Sequence, residues 1–239
     1  MSSNAFSDWN PKRGPAFLVE KKKPEPFPIT KQEVFDRILE LFDHETIALA
    51  DLCYLSAGRI SEVLDLKPQN LVTGTVRGVE FLSADLKTLK NKRRHRRQIP
   101  IANMNDKIEH DMACKVLKYI DGLDPAIPIF DGLSRNAAAM RFKKISITTE
   151  AYHNDDYIPE FTFHLFPHYF RHCRLTHVVV DYALGEDPFK LQLFAGWSTP
   201  REAMRYVLLS WKYLAKQMIK LDPIGEERLN SLKGGIPIE

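Results

Sequence analysis

Apolar positions change their spacing several times along the chain, and each change marks an element. Thr30 is an N-cap residue type with Glu33 at the capping-box position, and Val34, Ile38, Leu41 and Phe42 follow at helical spacing. A second helix is expected from Thr46 to Ala57; it is apolar on most sides, which predicts a central position, and Gly58 ends it. Arg59 to Leu64 starts a further short helix, closed by Lys67-Pro68. From Leu71 to Ile101 the pattern is that of short strands: LVT, a turn at Gly74, then TVRGVEFLSADL and, farther on, RQIPI. Helical spacing returns over residues 106–120 (Ile108, Met112, Val116, Leu117, Ile120) and over 134–147, with the two-proline connector GLDPAIPIFDG between them. Residues 148–161 are acidic and irregular, so a surface loop is expected there. A last helical stripe runs from Val207 to Leu221 through Leu208, Trp211, Leu214, Ala215, Met218 and Ile219. The resulting class is mainly α with a small antiparallel β-sheet, that is, α+β.

A chain of 239 residues can bury a sizeable core as one domain with a tail. The tail is the first 28 residues, which carry five prolines, the run Lys21-Lys22-Lys23 and no periodic pattern; the domain is residues 29–239. A flexible basic lead suits a polyanionic partner, although a solvated linker explains the same residues. No apolar run approaches the roughly 20 residues of a membrane helix, and the N-terminus lacks a signal-type apolar core, so a cytoplasmic protein is expected. Cys53, Cys114 and Cys173 are far apart and set in apolar segments, which predicts buried, reduced thiols. The net charge of +3 is unremarkable, but its distribution is not. Between Lys87 and Arg97, seven of 11 residues are Lys or Arg, a density that a phosphate backbone rewards through counterion release.

The chemistry concentrates in residues 162–213. His168 and Arg171 stand one helical turn apart, Gly196-Trp197 comes next, and Tyr206 lies nine positions beyond the Trp. Imidazole and guanidinium on one helix face can hold one anion, and a tyrosine hydroxyl can attack it. Each part alone has a plainer explanation. Arg59 can pair with Glu62 on a surface, Trp197 can be core, and His164, His172 and His177 lie among apolar residues as structural histidines do. Tyr169, Tyr182 and Tyr213 are rival nucleophiles by residue type, and Arg174 suits a phosphate contact as well as a surface role.

Taken in order, Arg59 in AGRISEVLDL, a hairpin Lys before an Ile-Pro strand, His168-x-x-Arg171-His172, Gly196-Trp197 and Tyr206 resemble the tyrosine site-specific recombinases, the phage-integrase family, over residues 30 to 213. The resemblance implies the catalytic-domain fold of that family and roles for individual residues. Arg59 corresponds to the first catalytic Arg, Glu62 to the acidic residue that steadies it and Lys90 to the general acid. His168 and Arg171 correspond to the His-x-x-Arg pair with His172 in support, Trp197 to the His-or-Trp position and Tyr206 to the nucleophile. The hairpin is long, so Lys87 or Lys92 can stand in for Lys90, and the step to Gly196 holds extra residues around GEDPF. The separate N-terminal helical domain of the family has no counterpart in the 28 residues ahead of the match.

The activity that the resemblance implies is DNA strand breakage and rejoining through a covalent 3′-phosphotyrosine intermediate. A topoisomerase of type IB, a telomere-resolving enzyme or a non-catalytic DNA-binding module would use parts of the same set. Two guanidinium forks can neutralise a phosphate as a metal would, so neither a cofactor nor a metal is expected: Asp155-Asp156 sits in the expected loop and Glu62 is coupled to Arg59. The expected partner is double-stranded DNA, met by Lys87, Lys92, Arg93, Arg94, Arg96 and Arg97 and by Arg141, Lys143 and Lys144. The resemblance also implies a monomer in solution that forms a tetramer on DNA, with no membrane role, in a prokaryotic cell or its virus or mobile element.

Overall fold

The computed structural model describes residues 24–41, 43–88, 96–153, 156–182, 184 and 187–207. Expectations for the lead as far as residue 23, for Phe42, for Lys90, Lys92, Arg93, Arg94 and Asp155, and for the stripe from Leu208 onward with Tyr213 lie outside these residues. In chain order the elements are β1 (Glu25–Pro26), α1 (Lys31–Leu39), α2 (His44–Leu55), α3 (Ile60–Leu64), β2 (Leu71–Val76), β3 (Val79–Lys87), β4 (Arg96–Asn103), α4 (Lys107–Ile120), α5 (Arg135–Phe142), β5 (Ser146–His153), β6 (Asp156–His164), α6 (Pro167–Asp181), α7 (Pro188–Ala195) and α8 (Arg201–Val207). A 3-10 turn, Pro68–Asn70, stands between α3 and β2. Among the described residues the class is α+β, with two three-stranded sheets.

The chain divides into two compact units, one of Met1–Phe27 with Thr148–Phe161 and one of Pro28–Ile147 with Thr162–Glu239. In the first, β1 pairs antiparallel with β5, Glu25 opposite Tyr152 and Pro26 opposite Ala151, in a sheet of order β1-β5-β6. Residues expected in the tail therefore include a strand. Strands also replace the end of the helix expected over 134–147 and the loop expected over 148–161. The helix stops at Phe142, and the run Ser-Ile-Thr-Thr after Ile145, rich in β-branched residues, suits a pleated surface better than a helix. Acidic residues and Pro159 disguise the strand beyond it, but β6 is an edge strand, where a proline breaks no ladder.

In the second unit, α1 is capped as its sequence predicts. The Thr30 hydroxyl accepts from Glu33 N (3.2 Å), and the Glu33 carboxylate accepts from Thr30 N (2.8 Å). Helix α2 buries every residue from Ala48 to Leu55 and packs against α1, α4, α5 and α6, which makes it the axis of the core. Strands β2, β3 and β4 form an antiparallel meander with an irregularity at Leu82/Ser83; Gly74, expected at a turn, pairs with Phe81 inside β2, and the chain reverses at Arg77-Gly78, both at positive φ. Cys53 and Cys173 are buried, but Cys114 is exposed, because α4 turns Glu109, Met112, Ala113 and Val116 inward and leaves Cys114 on its other side.

A buried polar knot ties α1, α4, α6 and β4 together. Arg174 donates to both Glu109 oxygens (2.5 and 3.2 Å) and to Ile101 O (2.9 Å). Lys31 adds an ion pair to Glu109 at 3.2 Å, and the Tyr182 hydroxyl donates to the same carboxylate at 2.7 Å. Arg174 is thus neither a surface residue nor a phosphate contact. Among the described residues no helix is long and apolar enough to cross a membrane, and no group of three or more His, Cys, Asp or Glu is placed to hold a metal ion.

Candidate active site

The junction of α2 and α3 sets out the first arginine. Ala57 takes a left-handed conformation (φ 45°), an uncommon state for a residue with a Cβ that costs on the order of 1 kcal/mol. Gly58 comes next because nothing larger fits: a Cβ there would lie 2.7 Å from Ser56 Oγ and 2.8 Å from Val63 Cγ2. The turn leaves Arg59 as the N-cap of α3, one quarter exposed, with Nη1 2.7 Å from Glu62 Oε1 and its backbone N 3.1 Å from Oε2. The i+3 pairing expected from the sequence is therefore real. Its carboxylate is fully buried rather than on a surface.

Helix α6 begins at Pro167, whose missing N–H suits a first helical position. His168 is exposed on the first turn, and Arg171, one turn on, is buried. Arg171 donates through Nη1 to Ala57 O, the carbonyl that the strained turn presents, and through Nη2 to Ala195 O at 2.8 Å. Two of its five donors are thus engaged with the backbone. Ala195 ends α7, and Gly196 caps it in the left-handed region (φ 65°), which reverses the chain into Trp197. The Trp197 ring lies beneath the Arg171 guanidinium (5.4 Å) and stacks on Tyr206 of α8, with centroids 5.5 Å apart and planes at 27°. The Tyr206 hydroxyl stands 3.2 Å from His172 Nδ1, so the histidine expected only in support touches the oxygen directly.

Arg97 belongs to the basic run in the sequence, and the structure corrects the expectation that it meets DNA from an exposed face. It is 6% exposed, donates to Glu62 Oε2 (3.1 Å) and to Phe194 O, and so joins the arginine cluster instead of the protein surface. Strand alternation carries the signal: Arg97, Ile99 and Ile101 share the inward face of β4, while Arg96, Gln98 and Pro100 face outward. Arg141 is likewise held, by Glu45 and by Thr46 Oγ1 (3.4 Å). Lys143 and Lys144 are exposed; Arg96 pairs with Asp85 (2.8 Å), and Lys87 lies 3.9 Å from Asp65. The register pairs Lys87, the last residue of β3, with Arg96, the first of β4.

Arg59 and Arg97 both pair with the Glu62 carboxylate, and Arg171 lies close enough to feel all three charges, so three guanidiniums share one carboxylate with a formal charge of +2. Burial first, then the Arg59 and Arg97 charges, bring the pKa of Arg171 down to about 10, so it stays charged at neutral pH but lacks a full complement of anions. An oxyanion entering the site would meet this uncompensated charge together with a tyrosine hydroxyl.

No family model matches this sequence, and none of the curated proteins does. Among solved structures the chain is similar to XerA recombinase, at 14% identity and a TM-score of 0.53, over 84% of this chain and 67% of that one. It is also similar to XerH site-specific recombinase in its post-cleavage complex with palindromic difH substrate, at 12% identity and a TM-score of 0.52, over 83% and 53%. The fold is shared with these recombinases. At such identities the likeness speaks for architecture, and this chain spans about half of the XerH chain (53%).

Within this recombinase-type fold, Arg59, Glu62, Arg171, Trp197 and Tyr206, separated by up to 147 positions in sequence, come together at one site. Two of the rival tyrosines, Tyr169 and Tyr182, do not join it. Tyr169 is buried and accepts from Ile29 N (3.2 Å), while Tyr182 serves Glu109. His177 is structural, as its apolar neighbours suggest: Tyr54 Oη lies 2.7 Å from its Nδ1 and Ile29 O lies 2.9 Å from its Nε2, and burial lowers its pKa to about 4.

Proposed function

We propose that this chain is the catalytic domain of a site-specific recombinase that cleaves and rejoins DNA through Tyr206. The observation that carries the reading is the Tyr206 hydroxyl, held by His172 and stacked on Trp197 beside the three-arginine cluster. A scissile phosphodiester binds with its non-bridging oxygens toward the remaining donors of Arg59 and Arg171. The Tyr206 oxygen attacks phosphorus as its proton passes to a neighbouring imidazole, that of His172 or His168. The bond to the 5′-oxygen breaks, leaving a 3′-phosphotyrosine and a 5′-hydroxyl. Lys90 is the proposed donor of the proton that the leaving oxygen takes up. Negative charge grows on the non-bridging oxygens during attack, and preorganised guanidiniums stabilise that growth more than they stabilise the ground state. The phosphotyrosine keeps the bond energy, so religation to a new 5′-hydroxyl needs no nucleotide cofactor.

The experiment uses a labelled pool of randomised duplexes, each with a single nick, so that cleavage near the nick releases a short strand and traps the adduct. The parent protein is expected to give a DNA-linked band on a denaturing gel. Tyr206→Phe, which keeps the ring and its stacking, should bind the pool as the parent does and give none. Arg171→Ala should also give none, through the loss of several kcal/mol of transition-state stabilisation. An adduct with Tyr206→Phe means that another tyrosine is the nucleophile; a parent that gives no adduct defeats the recombinase reading.

A further inference from the structure

Glu62, the end of α7 and the Trp197–Tyr206 stack must be held at fixed distances if a phosphate is to meet both arginines and a hydroxyl. One side chain ties the first two together. Arg97 reaches from β4 to Glu62 Oε2 with Nη2 (3.1 Å) and to Phe194 O with Nη1. Glu62 in turn holds both the side chain and the backbone N of Arg59. Phe194 lies three positions before Trp197 on a chain closed by Trp197 N to Gln192 O (3.1 Å) and Gly196 N to Leu193 O (3.2 Å). We propose that Arg97 is a positioning residue for the reaction of Tyr206: its guanidinium straps the Arg59–Glu62 turn to the C-terminal end of α7 and thereby sets where Trp197 and Tyr206 stand relative to the bound phosphate.

Two further observations support the strap. Gly196 is pressed against it, since a Cβ at this position would lie 2.7 Å from Arg97 Nη1 and 2.8 Å from Arg97 Cζ. The glycine of Gly196-Trp197 therefore answers to Arg97 as well as to its own left-handed backbone (φ 65°). Arg97 is also an expensive way to fill this space. It is buried beside two other arginines, and its Nε–H is buried with no partner. An apolar side chain of similar volume would avoid both costs. A planar fork that reaches a carboxylate and a carbonyl at once is what an apolar residue cannot supply.

The proposal rests on the recombinase reading, and its test separates the two. Single-turnover adduct formation is followed on the nicked pool for the parent, Arg97→Gln, Arg97→Lys, Arg97→Met and Gly196→Ala, alongside DNA binding and amide exchange of residues 194–206. A displacement of the reacting groups by about 1 Å can cost on the order of 100-fold in rate, so Arg97→Gln should bind DNA within about threefold of the parent and form adduct about 100-fold more slowly. Arg97→Lys keeps the charge but cannot bridge both partners; it should recover less than about tenfold, whereas a purely electrostatic role would be restored by lysine. Gly196→Ala crowds the guanidinium but also strains its own left-handed backbone, so it is read only beside the Arg97 variants; Arg97→Met, apolar and of similar volume, should slow the adduct as Arg97→Gln does and keeps the test decisive if Arg97→Gln does not fold. Folded variants that react within about threefold of the parent overturn the proposal. If the parent forms no adduct, the recombinase reading fails, and exchange still judges the strap: faster exchange at Gly196 and Trp197 in Arg97→Gln, with α1 unchanged, upholds it, and unchanged exchange refutes it.

Discussion

Asp51 shows how far burial alone can move a single group. It sits on the apolar helix α2, fully buried, with no hydrogen-bond partner for either oxygen, and Lys115 is the cation that acts on it. That ammonium is itself buried without a hydrogen bond and lies over the Phe35 ring at 4.0 Å. Burial pushes the Asp51 carboxyl up to about 8, and Lys115 offsets only part of this. The sign of the stability effect comes from linkage. The unfolded chain loses this proton near pH 4, while the folded protein keeps it until about 8, so the group lowers stability progressively as pH rises across that window. Asp51→Asn keeps the shape and removes the titration. Thermal unfolding should show it several degrees more stable than the parent at pH 8 and close to the parent at pH 4. A lower melting temperature at pH 8 would mean that the carboxylate has a charged role in the core.

The helices that present the site depend on the Glu109–Arg174 knot, because Arg174 lies one turn beyond Arg171 on α6 and fixes that helix to α4, to β4 and, through Lys31, to α1. Burial alone would raise the Glu109 carboxyl, but Arg174, Asn103 N and Tyr182 outweigh it and hold the pKa at about 2. The depressed pKa means that this contribution, on the order of 3 kcal/mol, is fully present above about pH 4.5 and is lost as pH falls toward 2. Glu109→Gln leaves Arg174 buried without its counter-charge, and removing one partner of such a pair costs about 3–5 kcal/mol. Urea unfolding at pH 7 should show a loss of that size, and the gap to the parent should narrow below pH 4. A variant as stable as the parent at pH 7 would show that α6 is held by packing alone.

For the molecule as a whole, the recombinase proposal and the exposed cations together predict a salt-dependent contact with DNA. Lys143 and Lys144 come directly after α5, and Lys87 and Arg96 stand at the base of the basic segment. Affinity for duplex should fall with salt at a log-log slope of about 0.9 per phosphate neutralised, and replacing Lys143 and Lys144 by Gln should reduce that slope by roughly 2 if each meets one phosphate. A slope unchanged by the double substitution would remove this face from the interface; a flat salt response in the parent would remove phosphate contact altogether. Assembly should come after DNA binding rather than before it. Light scattering is expected to report a monomer in free solution and higher-order species only with duplex, and a stable tetramer without DNA would contradict that order.

Spacing in the chain is enough to place the capping box of α1, the buried course of α2 and the strands β2 to β4, though not the turn between β2 and β3, because caps, periodicity and turn residues act over a few positions. It misplaces residues 146–164, where local composition outweighs an alternation that becomes a strand only by pairing. It also misplaces Arg97, Arg174 and Cys114, and it gives His172 only a supporting part. Whether a position on β4 or α6 faces inward is local, but whether an inward position holds a charge depends on what meets it. Arg97 is tolerated because Glu62, 35 positions away, and the Phe194 carbonyl, 97 positions away, receive its protons. Arg174 is tolerated because Glu109, 65 positions away, does the same. Only the tertiary structure brings those partners within hydrogen-bond distance, and a guanidinium without them would not leave water.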